Sequence, residues 1–205
     1  GDIVAGEVDA YRFTATGGDA VTVSLSDVVS GLSSRLWAEL YSPSGNKVAK
    51  LPGTNGPDEV ENGNKVVYRL PAETGTYVIQ VYDYDYTHLE AYGVTLEGLN
   101  PPSGDAVAIA FGEQKTGTIN LQSEVDAFTF SVSAADLAAG GGQYLAKLSL
   151  SSETTVDYKP RARVYSPSGE TVGAELDSGD TKTPTLAPAG TYLLPVHPNA
   201  DTPTQ

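Results

Sequence analysis

In the stretch TYVIQVY (76–82), Tyr77, Ile79 and Val81 fall on one side of an extended chain, and Val78, Gln80 and Tyr82 fall on the other. A period of two is the pattern of a strand with one buried face. The first set is wholly apolar or aromatic, so its face is read as core. By the same logic AVTVSLS (20–26) turns Val21, Val23 and Leu25 inward. LWAELY (36–41) turns Leu36, Ala38 and Leu40 inward and leaves Trp37, Glu39 and Tyr41 outward. Tyr11 and Phe13 are assigned to the core as well. Short Val/Thr/Tyr runs separated by Gly, Pro and Ser predict an all-β chain.

These runs occur twice. EVDAYRF (7–13) returns as EVDAFTF (124–130), YSPSG (41–45) as YSPSG (165–169), and GTYVIQVY (75–82) as GTYLLPVH (190–197). Three motifs in one order predict a tandem duplication. The expected boundary lies in GLNPPSGD (98–105), which gives repeats 1–100 and 101–205. In the second copy Phe128, Phe130, Tyr192, Leu194 and Val196 take the core positions. Leu193, Pro195 and His197 are expected nearer solvent, and Pro195, which lacks an N–H, predicts an edge strand or a bulge. The spacing between motifs differs between copies. It places an insertion at SAADLAAGGGQ (133–143), read as a helical turn and glycine loop, and a longer loop at LPGTNGPDEVENGN (51–64) in the first copy. Each copy is read as seven or eight short antiparallel strands, a β-sandwich or jelly roll. The first copy is expected to lack an initial strand, and the second to lack a counterpart of AYGVTLEGL (91–99). The chain contains no methionine, so Gly1 is expected to mark a processed or excised chain, or one whose missing strands come from neighbours.

The sequence G-x-x-x-x-x-E-V-D-A-Y-x-F, with L-Y-S-P-S-G, A-x-x-G-T-Y-x-x-x-V and Y-G-V-T-L, resembles the bacterial pre-peptidase C-terminal domain, a family related to collagen-binding-domain-like jelly rolls. The resemblance covers nearly all of both copies. It implies calcium-associated sandwiches appended to secreted proteins, without catalytic activity, that bind insoluble polymers or assemble at surfaces. The motifs that carry it are core aromatics and turns, so it speaks to fold more than to function.

Composition narrows the partners. A net charge of −14 repels nucleic acid and anionic lipid. No apolar run reaches the roughly 18 residues of a membrane span. With no cysteine, thiol catalysis, disulfides and Cys-ligated metals are excluded. There is no G-x-S-x-G or H-E-x-x-H, and no phosphate loop follows the glycines, so no enzyme is expected. VYDYDYTHLEAYGV (81–94) is the densest candidate. If the strand runs on, Tyr82, Tyr84 and Tyr86 form an exposed row, with Asp83 and Asp85 opposite. The alternative is a bend after Tyr82 that lets the tyrosines cap the sandwich end. The second copy has none of these tyrosines, so the fold does not require them. The candidate binding surface is therefore Trp37, Tyr82, Tyr84, Tyr86 and Tyr92. Asp83, Asp85 and Glu90 are the candidate ligands of one structural calcium, with Asp58, Glu59 and Glu61 as a second acidic cluster. Asp9 and Asp126 recur beside the first core strand and are read as carboxylates bonding turn amides. The expected function is an extracellular or cell-surface accessory module that holds a protein to a polymer. The alternative is a subunit of an extracellular filament or layer that binds copies of itself by strand exchange.

Overall fold

The structure, a computed structural model, describes residues 1–27, 36–51, 65–86, 90–120, 123–152 and 159–198, without the side chains of Asp27, Lys65, Val66 and Glu90. Among the described residues the chain is all-β apart from one short helix. It divides into two units. One runs from Gly1 to Gly98 and takes in Ser123 and Glu124, and the other comprises Leu99–Asn120 and the described chain from Val125 to Pro198.

In the first unit the strands are β1 (Asp2–Ile3), β2 (Val8–Ala15), β3 (Ala20–Asp27), β4 (Leu36–Tyr41), β5 (Lys47–Leu51), β6 (Lys65–Arg69), β7 (Gly75–Asp83) and β8 (Glu90–Asn100). They form two four-stranded sheets, ordered β1-β8-β3-β6 and β2-β7-β4-β5. The alternating apolar residues meet as one core: Val21, Val23 and Leu25 of β3, Leu36, Ala38 and Leu40 of β4, and Tyr77, Ile79 and Val81 of β7 are all buried. Two strands, β3 and β2, depart from simple alternation. Thr22, Ser24 and Ser26 of β3 are buried too, so this strand, flanked by β8 and β6, is covered on both faces. Tyr11 keeps 39% of its surface exposed because β2 is an edge strand.

The second unit holds β9 (Val107–Ala108), β10 (Asp126–Val132), α1 (Ala134–Ala139), β11 (Tyr144–Leu145), β12 (Leu148–Ser149), β13 (Pro160–Tyr165), β14 (Thr171–Asp177), β15 (Thr181–Lys182), β16 (Thr185–Leu186) and β17 (Gly190–Pro198). Five strands form the sheet β14-β13-β17-β10-β9, and β11-β16 and β12-β15 pair separately. One pairing, β9 with β10, is parallel, where an antiparallel arrangement was expected throughout. The insertion at 133–143 forms α1, started by a capping box in which Ser133 accepts from the Asp136 amide and Asp136 accepts from the Ser133 amide.

The reading of β17 needs correction. It is a central strand between β13 and β10, and Leu193, Pro195 and His197 are buried like Tyr192 and Val196. Pro195 shows its effect inside the sheet. The β13–β17 ladder pairs Ala162 with Val196 and Tyr165 with Leu193 but skips the positions between. Across β13, the register against β14 shifts between Ala162 and Val164. A strand that offers no N–H at one position leaves its neighbour bulged there.

The recurring motifs adopt matching conformations. Phe13 faces and stacks on Tyr77 (5.5 Å), and Phe130 faces and stacks on Tyr192 (5.4 Å). Tyr77 Oη donates to the Glu73 carbonyl and Tyr192 Oη to the Pro188 carbonyl, each at 2.6 Å. Both YSPSG turns close by a 2.8 Å bond, from the Gly45 amide to the Ser42 carbonyl and from the Gly169 amide to the Ser166 carbonyl. Gly45 and Gly169 have φ of 82° and 81°, a region that favours glycine. Trp37 sits opposite Tyr82 in the β4–β7 ladder, as Arg161 sits opposite His197 in β13–β17.

Candidate functional site

The outward residues of β4, β5 and β7 in the first unit converge on one patch. Cross-strand pairing puts Trp37 beside Tyr82, and Glu39 between Gln80 and Lys50. Strand β7 continues only to Asp83. A turn follows, closed by the Tyr86 amide donating to the Asp83 carbonyl at 3.0 Å. The tyrosines therefore do not extend as a straight row. The turn folds Tyr86 back onto Tyr82, with rings 5.4 Å apart and 5° from parallel, and Tyr84 onto Trp37 at 4.7 Å. Tyr86 has φ 56°, uncommon for a residue with a side chain and worth reading as a functional clue.

This folding sorts the aromatics by role. Tyr84 and Tyr86 are 55% and 46% exposed and present themselves to solvent. Trp37 and Tyr82 are half-buried beneath them. Lys50 Nζ lies 3.1 Å from the centre of the Trp37 ring, a cation–π contact that helps to fix the indole. Lys50 escapes sequence reasoning because only the β4–β5 register brings it there.

A polar support lies alongside. Glu39 accepts from Tyr41 Oη at 2.5 Å and Lys47 Nζ at 3.1 Å. Burial pushes its carboxyl up, but hydrogen bonds from Tyr41, Lys47 and Tyr82 outweigh this and leave it below its ordinary value. The bond to Glu39 and burial push Tyr41 up to about 12. Burial first, and then the Glu39 bond, raise Tyr82 further. Because Glu39 is depressed in the folded chain, its contribution to stability is present above its unfolded pKa near 4.5 and is lost as pH falls through the lower folded value. Glu39→Gln should therefore flatten the acid limb of the stability profile as pH falls below about 5, measured by urea unfolding at stepped pH. An unchanged acid limb would show that Glu39 is not held in this network.

Two expectations change at this point. Tyr92 is not on the surface: it is 1% exposed in the core of the first unit. Its hydroxyl donates to Asp9 Oδ2 at 2.5 Å and, having only one proton, accepts from Tyr11 Oη at 2.5 Å. Burial, with these bonds, raises its pKa. This also accounts for Asp9, whose carboxylate serves a buried tyrosine. Its counterpart Asp126 packs so close to Gly117 that a Cβ there would meet Asp126 Oδ2 at 2.3 Å.

Of the candidate calcium ligands Asp83, Asp85 and Glu90, the structure describes the side chains of Asp83 and Asp85. Calcium takes six to eight oxygens. Asp83 is fully buried opposite Leu36, and its Oδ1 is 3.4 Å from the Asp85 amide that donates to it. Among the described residues no three His, Asp or Glu side chains gather closely enough to hold a metal ion. The side chain of Glu90, and all of Asp58, Glu59, Glu61 and His88, lie outside those residues.

The equivalent face of the second unit carries charge in place of rings. Glu175 lies 3.7 Å from Arg163, 3.8 Å from Arg161 and 3.6 Å from His197, while Arg161 also bonds Asp177 at 2.7 Å. The His197 bond, opposed by burial and aided by both arginines, holds the Glu175 carboxyl below its ordinary range.

Residues 7–83 of the first unit, spanning β2 to β7, match the family described as the bacterial pre-peptidase C-terminal domain. No curated protein matches the chain. Among solved structures, the CUB1-EGF-CUB2 domain of human MASP-1/3 is similar over 98% of this chain and 95% of that one, at 9% identity and a TM-score of 0.25. At that level the likeness carries no argument. No helix among the described residues is long and apolar enough to cross a membrane.

Proposed function

We propose that the chain is a non-catalytic, extracellular accessory module, and that its first unit attaches to a polymer through the exposed rings of Tyr84 and Tyr86. The observation that carries this is the turn at 83–86. It holds Tyr86 in a backbone conformation uncommon for a side-chain-bearing residue and stacks both outer tyrosines on half-buried aromatics. The core does not need such an arrangement, since the matching face of the second unit lacks it. Rigid aromatics with their edges free suit a flat apolar or sugar surface, because little side-chain entropy is lost on contact. The family match at residues 7–83 supports the accessory role. Two copies of one domain, 1–100 and 101–205, account for the matched stacks, turns and ladder registers.

Co-sedimentation with fibrillar collagen, chitin and cellulose tests the proposal. The double change Tyr84→Ala with Tyr86→Ala should weaken retention about tenfold or more, as for central aromatic contacts. The unfolding midpoint should stay near that of the parent, because both side chains are about half exposed. Undiminished retention on every polymer that the parent binds, or no retention of the parent on any, would sink the assignment.

A further inference from the structure

The outer face of the sheet β2-β7-β4-β5 sets the aromatic rings beside a polar row. Gln80 shares its face of β7 with Tyr82. It lies between Ala10 of β2 and Glu39 of β4, and Glu39 is in turn opposite Lys50 of β5. The neighbouring pair, Tyr82 with Trp37, carries Tyr86 and Tyr84 stacked upon it. Side chains directly opposite on adjacent strands have Cβ atoms about 5 Å apart. The two outer tyrosines therefore stand over adjacent strands, as neighbouring platforms and not as a cage around one group. Each has one ring face against an inner aromatic, and about half of its surface remains open.

The charges and hydrogen bonds of this face narrow what it holds. Among the described residues flanking the rings, Lys47 and Lys50 balance Glu39 and Asp85, on a chain whose net charge is −14. A balanced patch on such a chain suits an uncharged ligand. A polyanion is repelled by the chain as a whole, and a polycation finds stronger attraction elsewhere on it. Tyr41 and Tyr82 each have one proton and give it to Glu39, so both turn oxygen acceptors to a ligand. Gln80 offers a donor and an acceptor. A matching ligand brings donors of its own. A proline-rich strand stacks on tyrosine but has few N–H groups to give. A sugar ring has hydroxyls around its edge, and C–H groups on its faces that lie against the negative face of an aromatic ring.

We propose that the polymer held by the first unit is an uncharged polysaccharide, an assignment that rests on attachment through Tyr84 and Tyr86. Consecutive sugar rings stack on these two tyrosines, and their hydroxyls meet Gln80 and the oxygens of Tyr82 and Glu39.

Saturation-transfer NMR of the full chain with cellohexaose and with chitohexaose tests the assignment. At least one of the two should bind saturably, with transfer strongest to the ring C–H protons. Affinity should change less than about twofold between low salt and about 0.5 M sodium chloride, because an uncharged ligand has no ion pairs to screen. Tyr84→Ala with Tyr86→Ala should weaken binding about tenfold or more. Gln80→Leu, which keeps an apolar side chain and removes the amide, should weaken it about three- to tenfold. If neither oligosaccharide binds at about 1 mM, if the double variant binds as well as the parent, or if salt costs about tenfold in affinity, the sugar assignment is overturned. Loss of collagen retention in the double variant, with neither oligosaccharide bound, would keep the attachment reading and make the ligand a protein. A parent chain that no polymer retains and that binds neither oligosaccharide would end both.

Discussion

Replacing Tyr92 with alanine is expected to destabilise the first unit by about 3–5 kcal/mol, the cost of removing a large ring from a packed core. Tyr92 is 1% exposed and belongs to the core that includes Ile3, Val81 and Leu25. Its loss leaves a void and also strands the Asp9 carboxylate and the Tyr11 hydroxyl, which now meet on the Tyr92 oxygen. Tyr92→Phe keeps the ring and removes only that oxygen, so it should cost about 1–2 kcal/mol. The order of the two variants separates packing from hydrogen bonding. Urea unfolding followed by tryptophan fluorescence reads the effect directly, since Trp37 is the one tryptophan of the chain and lies in this unit. A midpoint for Tyr92→Ala equal to that of Tyr84→Ala would place both side chains at the surface and refute the buried assignment.

The second large effect concerns the paired tyrosines Tyr77 and Tyr192. Each is 0% exposed, stacks on a phenylalanine of the facing strand and donates a 2.6 Å hydrogen bond to a carbonyl four residues earlier. Tyr77→Ala and Tyr192→Ala should each cost about 3–5 kcal/mol, and hydrogen exchange resolved by segment should lose protection in the unit that carries the change. Equal contacts predict equal penalties. If either substitution cost less than about 1 kcal/mol, the corresponding ring would not be the core element it is taken to be, and the common architecture of the two units would fail with it.

The chain's own alternation determined much of this architecture. Period-two spacing in β3, β4 and β7 identified nine of the fourteen buried residues of the first unit's core, because a strand can hide only every second residue on one side. The glycine and proline of each YSPSG identified its turn, because those residues set φ locally. The unusual tyrosine cluster was legible too, as residues that the second copy does without. Tertiary structure decided the rest, for reasons that a linear pattern does not encode. Tyr92 and Tyr84 are the same residue type eight positions apart. One is sealed in the core because β8 lies between β1 and β3, and the other is presented because the chain turns after Asp83. Lys50 reaches Trp37 only through the register of β4 with β5. Pro195 sits in mid-sheet because the bulge in β13 accommodates its missing N–H.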